Sequence, residues 1–317
     1  MLLAVGLLII ALLIHRMGPD RFLVIIREAE KGYWLGGVAV YLISLVLRGT
    51  KWYVLSRCYL PCRYRVVLPV YLVNAILGNI TPFKSGEAAG PVLLRRYCGL
   101  EIGKGFALLL ADRIFELIFL LFFLVISFGY LYLTVLMPPV AAKGILVTLA
   151  FLIIFILIFI FVLVYAPFGH CLVRWFRVHV SWRWLQQRIH HIEREMETFY
   201  QARKNLSRGG IFLFMTAATF LCWMAQFIAL WLVVLSLHPV SFFPSLASQG
   251  IAFPVSILSF IPGGMGITAA SYQYTMSLYG YPYDVIVGAA LTSRFLFLLL
   301  IFGAGFVASH CLAPDRQ

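Results

Sequence analysis

The chain is short of charge. Of its 317 residues only 12% are Asp, Glu, Lys or Arg, about half the share of a soluble domain. Hydrophobic residues make up 62%, and no soluble domain of useful size fits between the apolar runs. The six cysteines are scattered, and Cys58 and Cys62 lack a second pair to complete a metal site. The seven histidines lie mainly in 170–191 and have no ligand spacing. No Ser, His and Asp are placed as in hydrolases, and no Walker sequence is present, so ATP is not the energy source within this chain. No cofactor and no metal are expected. Runs of alternating apolar and polar residues, the mark of a membrane β-barrel, are missing too.

What is present is a series of apolar runs longer than the ~20 residues that span a bilayer. They make the chain an all-α polytopic membrane protein. A net charge of +13 could point to nucleic acid. Most of the Lys and Arg lie between the apolar runs, however, where they set orientation and meet anionic headgroups. No nucleic-acid partner is expected.

Full spans are predicted over 1–14, 33–55, 106–136, 144–166, 211–237 and 285–311. The first has no basic residues before it and no small-residue cleavage site after it, so it reads as a retained span. Residues 19–31 read as a short amphipathic helix at one surface. The one long polar segment is 167–210. Within it Leu185, Ile189, Ile192, Met196 and Phe199 share one helical face, which predicts a helix lying at the membrane surface.

Two apolar stretches are interrupted. Residues 66–94 break at Asn79-Ile80-Thr81-Pro82-Phe83-Lys84-Ser85-Gly86-Glu87, where Pro82 lacks an N–H and restricts Thr81. Residues 245–278 break at Pro262-Gly263-Gly264-Met265-Gly266. Broken backbone at membrane depth is tolerated only where protein buries it or water lines it. The plain alternative is that Pro and Gly kink ordinary spans, and charge decides between the two. Segments 56–65, 95–104 and 167–210 are all basic, which assigns all three to the cytoplasm. Were 66–94 to cross, 56–65 and 95–104 would lie on opposite sides; a hairpin removes the conflict. The same walk makes 245–278 a second hairpin from the opposite face. The expectation is one membrane domain over 1–317, with about six spans, two re-entrant hairpins of opposite sense, and both termini cytoplasmic. Inverted halves of this kind bring half-helix ends together near the midplane in transporters.

Lys84 and Glu87 stand at i and i+3, the spacing of a pair on one helical face. Such a pair either neutralises itself or meets a lipid phosphate and a cationic group; intramembrane charges usually mark substrate pathways. Asn79 and Thr81 offer hydrogen bonds for capping or for substrate. Gly263, Gly264 and Gly266 permit a tight turn whose N–H groups could cradle an anion, or simply allow close helix packing. Asp112, Arg113 and Glu116 read as an interfacial salt-bridge cluster at the start of a span, and Arg48 and Lys51 as snorkelling residues at the end of another. Arg294 is deeper, with no carboxylate within one turn. A lipid phosphate, Glu87 or Asp112 is its candidate partner.

Taken in order, the 79–87 stretch, Leu93-Leu94-Arg95-Arg96, Asp112-Arg113-Ile114-Phe115-Glu116-Leu117 and Pro262-Gly263-Gly264-Met265-Gly266 resemble the transmembrane, flippase-like module of lysylphosphatidylglycerol synthases. That module is found also as stand-alone and hopanoid-associated membrane proteins. The resemblance covers nearly the whole chain. It implies a lipid-handling protein of the bacterial cytoplasmic membrane, a transporter of a phospholipid-like or polyisoprenoid-linked lipid, with anionic or isoprenoid-linked lipids as partners. It does not imply synthase activity, because the soluble aminoacyltransferase domain of the full-length enzymes is not in this chain. An integral-membrane glycosyl- or aminoacyl-transferase is the alternative, since some archaeal relatives are associated with lipid glycosylation. An accessory subunit of an envelope complex is another, and a homo-oligomer fits either. Two departures stand out. The position three after the motif Glu, usually Arg, is Gly90. The residues after the glycine turn, Ile267-Thr268-Ala269-Ala270, lack the acid often found there. Both point to a different headgroup.

Overall fold

The computed structural model describes Arg27 and residues 29–135, 209–258, 261–264 and 266–312, with parts of 140–158. Among them α-helices follow one another as α1 (Lys31–Arg57), α2 (Tyr64–Ile80), α3 (Ala89–Cys98), α4 (Ile102–Thr134), α5 (Gly209–Leu235), α6 (Phe242–Leu258), α7 (Ile267–Leu278) and α8 (Tyr283–Cys311). Four of these, α1, α4, α5 and α8, are long and apolar enough to cross a membrane, and they match four of the predicted spans. The spans expected over 1–14 and 144–166 and the surface helices expected over 19–31 and 185–199 lie wholly or largely outside the described residues.

The predicted breaks fall between α2 and α3 and between α6 and α7. At the first, Thr81 turns extended (φ −94, ψ 145) and a 3-10 turn, Pro82–Ala88, follows. The Thr81 hydroxyl donates to the Leu77 carbonyl at 2.8 Å and accepts the Gly86 N–H at 2.6 Å, so one side chain closes the turn. Gly86 is required there: a Cβ would sit 2.6 Å from the Leu77 carbonyl carbon. The chain then doubles back, with Gly78 against Glu87 and Gly90 against Asn74. At the second break Gly263, Gly264 and Gly266 all have positive φ. Here too the chain doubles back, since Ser245 bonds Tyr272 at 2.9 Å and Ser256 bonds Thr268 at 2.9 Å.

These two doubled-back pairs start from opposite ends of the bundle. At one end Cys62, Leu100, Met215 and Leu312 share a buried cluster, gathering the link after α1, the link before α4, the start of α5 and the end of α8. At the other end the Glu30 N–H donates to the Ser236 carbonyl at 2.7 Å. There the Ser241 N–H also meets the Tyr281 hydroxyl at 3.1 Å. Thus α2 sets out from the first end and α6 from the second. The two 3-10 turns touch each other.

The halves repeat. Helices α1, α2 and α3 begin at residues 31, 64 and 89, and α5, α6 and α7 at 209, 242 and 267, a constant spacing of 178. Lengths match as well: α1 and α5 have 27 residues each, and α2 and α6 have 17 each. The pair α4 and α8, with 33 and 29 residues, begins at 102 and 283. Packing follows the same rule, α4 resting on α6 as α8 rests on α2. The result is an inverted repeat. Its centre is the α1–α5 contact, close enough that a Cβ on Gly37 would lie 2.9 Å from the Ala229 carbonyl oxygen; small residues permit that approach between helices.

Candidate functional site

Six charges of alternating sign occupy the interior of the first half. Lys51, on α1, is 1% exposed, and Asp112 and Glu116, on α4, are 1% and 7% exposed. The Lys51 ammonium lies 2.7 Å from Glu116 Oε1 in a hydrogen bond. It is also 2.7 Å from Asp112 Oδ1, an ionic contact off the line of a hydrogen bond. Arg48 Nη1 donates to Glu116 Oε1 at 2.8 Å, and its Nη2 donates to Gln226 of α5 at 2.9 Å. Arg113 Nη2 donates to Asp112 Oδ2 at 2.7 Å, and Arg113 Nη1 lies 3.2 Å from Glu87 Oε2. The Trp52 indole completes the Asp112 shell at 3.1 Å. Three cations face three carboxylates, so the network closes without net charge, the condition on which buried ions are tolerated.

Several expectations from the sequence are corrected here. Arg48 and Lys51 do not snorkel to the surface; they turn inward. Asp112, Arg113 and Glu116 do form a salt-bridge cluster, but a buried one. Helix α4 begins at Ile102, which puts Asp112 about 15 Å along it at 1.5 Å per residue. Glu87 pairs with Arg113 and not with Lys84. The i, i+3 argument assumed a helix, whereas Lys84 stands in a 3-10 turn with φ 54, the one non-glycine with positive φ among the described residues.

Lys84 is exposed and makes no ion pair with the described residues. Asn79 donates its side-chain N–H to the Ala75 carbonyl at 2.8 Å; with Thr81 it finishes the half-helix, the capping role. The turn of Gly263, Gly264 and Gly266 faces the Lys84 turn across the contact between the breaks. Arg294 is paired with neither Glu87 nor Asp112. Its Nε is buried without an acceptor, and it borders a cavity of about 30 Å³ together with Tyr41, Gln226 and Tyr272. Sequence reasoning missed the roles of Trp52, Gln226 and Tyr41. A polar Gln in an otherwise apolar span was the available signal for one of them.

This interior defines a multi-pass α-helical membrane protein with charge sequestered between inverted halves. The family model described as the lysylphosphatidylglycerol synthase TM region matches residues 2–305, and the chain belongs to that family. It is similar to a UPF0104 membrane protein of Methanothermobacter thermautotrophicus, at 26% identity over 98% of this chain and 93% of the relative. It is also similar to a UPF0104 membrane protein of Pyrococcus horikoshii, at 23% identity over 84% of this chain and 83% of the relative. No solved structure matches it.

Proposed function

We propose that the protein moves a phospholipid-like or polyisoprenoid-linked lipid between the leaflets of the cytoplasmic membrane. The observation that carries this reading is the contact between two helix breaks reached from opposite ends of an inverted repeat. Half-helix ends then converge where a headgroup crosses. The 17-residue helices α2 and α6 are about 25 Å long at 1.5 Å per residue, which suits re-entrant hairpins better than full spans. Among the described residues at the two breaks and the cavity beside them, Lys84 and Arg294 are the cations left to a headgroup, with Asn79, Thr81, Gly263, Gly264 and Gly266 shaping the passage. The six-charge network around Asp112, Arg113 and Glu116 is its rigid wall. Those acids are engaged by Lys51, Arg48 and Arg113, which argues against the transferase reading.

Arg57, Arg63, Arg65, Arg95, Arg96 and Lys104 gather at one end, which supports a cytoplasmic position for that end. Single cysteines at positions 60 and 100 in a cysteine-free background should both label from the cytoplasmic side alone. Labelling from opposite faces would reject the re-entrant first hairpin. Purified protein in liposomes should exchange a labelled anionic or isoprenoid lipid between leaflets, and Lys84→Ala should slow that exchange at least about tenfold, the loss of one charged contact of about 1.4 kcal/mol or more. Wild-type vesicles no faster than empty ones, across a panel of such lipids, would sink the transport reading.

A further inference from the structure

Arg113 and Arg294 hold the same place in the two halves, each being the twelfth residue of its helix. Their surroundings differ in one respect. Arg113 has Asp112 and Glu87 at its terminal nitrogens. Beside Arg294 the place of Asp112 is taken by Ser293, and that of Glu116 by Phe297, whose ring stacks on Tyr41 at 4.0 Å. In the sequence the place of Glu87 is taken by Met265, at the offset that pairs Gly86 with Gly264. The repeat thus keeps the arginine and removes its acids. No carboxylate lines the cavity that Arg294 borders. Arg294 makes no hydrogen bond or ion pair with a described residue, and its Nε is fully buried. Two more donors face the same space. The Tyr41 hydroxyl has no partner among the described residues. The Gln226 side chain turns its oxygen to Arg48 at 2.9 Å, which leaves its amide N–H pair to the cavity.

A guanidinium, a phenol and an amide N–H around a space without an acid make a receptor for an anion. A lone intramembrane cation is costly unless something balances it. We propose that this cavity binds one oxygen of a singly charged phosphodiester. Lys84 does not line this cavity, so one arginine balances one negative charge there; a diphosphate would bring at least one more than the cavity can meet. A space of about 30 Å³ holds one or two water-sized atoms, so a phosphoryl oxygen enters while the rest of the headgroup remains between the helices. With no acid in the cavity, an amino group on the headgroup gains nothing there. The inference rests on the lipid-transport reading for the source of the phosphodiester, and within that reading it selects an anionic phospholipid-like substrate over a diphosphate-linked isoprenoid.

Calorimetric titration of the full chain in detergent tests this, using dihexanoyl phosphatidylglycerol, inorganic phosphate and pyrophosphate as probes. The short phospholipid should saturate the wild type, bind at least tenfold more weakly to R294Q, and bind several-fold more weakly to Y41F. Y41F keeps the ring stack and removes one hydroxyl, so it decides the matter should R294Q fail to fold. Unchanged affinity in Y41F and in folded R294Q would overturn the site. Saturation by inorganic phosphate with none by the phospholipid would overturn the lipid as its ligand. Pyrophosphate binding more tightly than the phospholipid would overturn the single-charge argument. Arg294-dependent binding by a wild type that exchanges no lipid would keep the site and reject transport; exchange without such binding would do the reverse.

Discussion

Lys51→Ala is expected to cost about 3–5 kcal/mol of stability, the loss seen when one partner is removed from a buried ion pair. Two carboxylates depend on this ammonium at 2.7 Å, Asp112 and Glu116, and it is 1% exposed. Its removal leaves three acids facing two arginines in the interior. Water cannot compensate without opening the α1–α4 contact. The thermal midpoint of the detergent-solubilised protein should fall by on the order of 10 °C. The double variant Lys51→Met with Asp112→Asn removes one charge of each sign and should recover much of the loss, because a buried pair exchanged for neutral groups of similar volume is often near neutral. A Lys51→Ala protein melting within about 2 °C of wild type would mean that the network does not hold the bundle together.

The second large effect is expected at Gly264. Its φ is +63, and a Cβ there would lie 2.7 Å from the Thr268 hydroxyl and would also run into the Ser256 side chain. These two side chains bond each other at 2.9 Å and tie α6 to α7. Gly264→Ala therefore loses about 1–2 kcal/mol for the left-handed backbone and, in addition, about 1 kcal/mol or more for the disrupted hydrogen bond. Gly280 separates the two contributions. It has φ +84 with nothing within 4 Å of a Cβ, so Gly280→Ala pays the backbone cost alone. Urea or thermal melts of the two variants should differ, Gly264→Ala being the worse. Equal losses would show that the second turn is not held by the Ser256–Thr268 contact.

The two breaks were legible because Thr81-Pro82 and the Pro262 to Gly266 run leave the backbone little choice. The expectation of a hairpin at the first came from basic residues on both sides of it, an argument from charge and not from propensity. The pairing of charges was not legible. Placing Asp112 near a surface followed from starting the span at 106; the helix starts at Ile102, and Gly103 and Gly105 gave no apolar signal to extend it. Lys51 looked like a span end because Trp52 and Tyr53 suggest an aromatic belt, yet the helix runs on to Arg57 and Trp52 serves Asp112 instead. The repeat was hidden by divergence. Gly86 and Gly264 correspond, as do Arg113 and Arg294, but Arg48 matches Gln226, and Asp112 matches Ser293. Identities so sparse carry no periodic signal in a single apolar sequence.

Arg48 and Gln226 each stand eighteenth in their helices, and they bond to each other. A residue touching its own counterpart marks the axis about which the halves are related. Were the halves identical, exchanging their conformations would give two shapes of equal free energy, one open to each side. Here the axis itself is uneven, a cation facing a neutral amide. Exchange would ask Ser293, Phe297 and Ala229 to do what Asp112, Glu116 and Lys51 do, and none of the three can carry charge. In the transport reading proposed above, an unliganded protein this uneven rests on one side, and the ligand proposed for the cavity beside Arg294 supplies the energy difference between that side and the other.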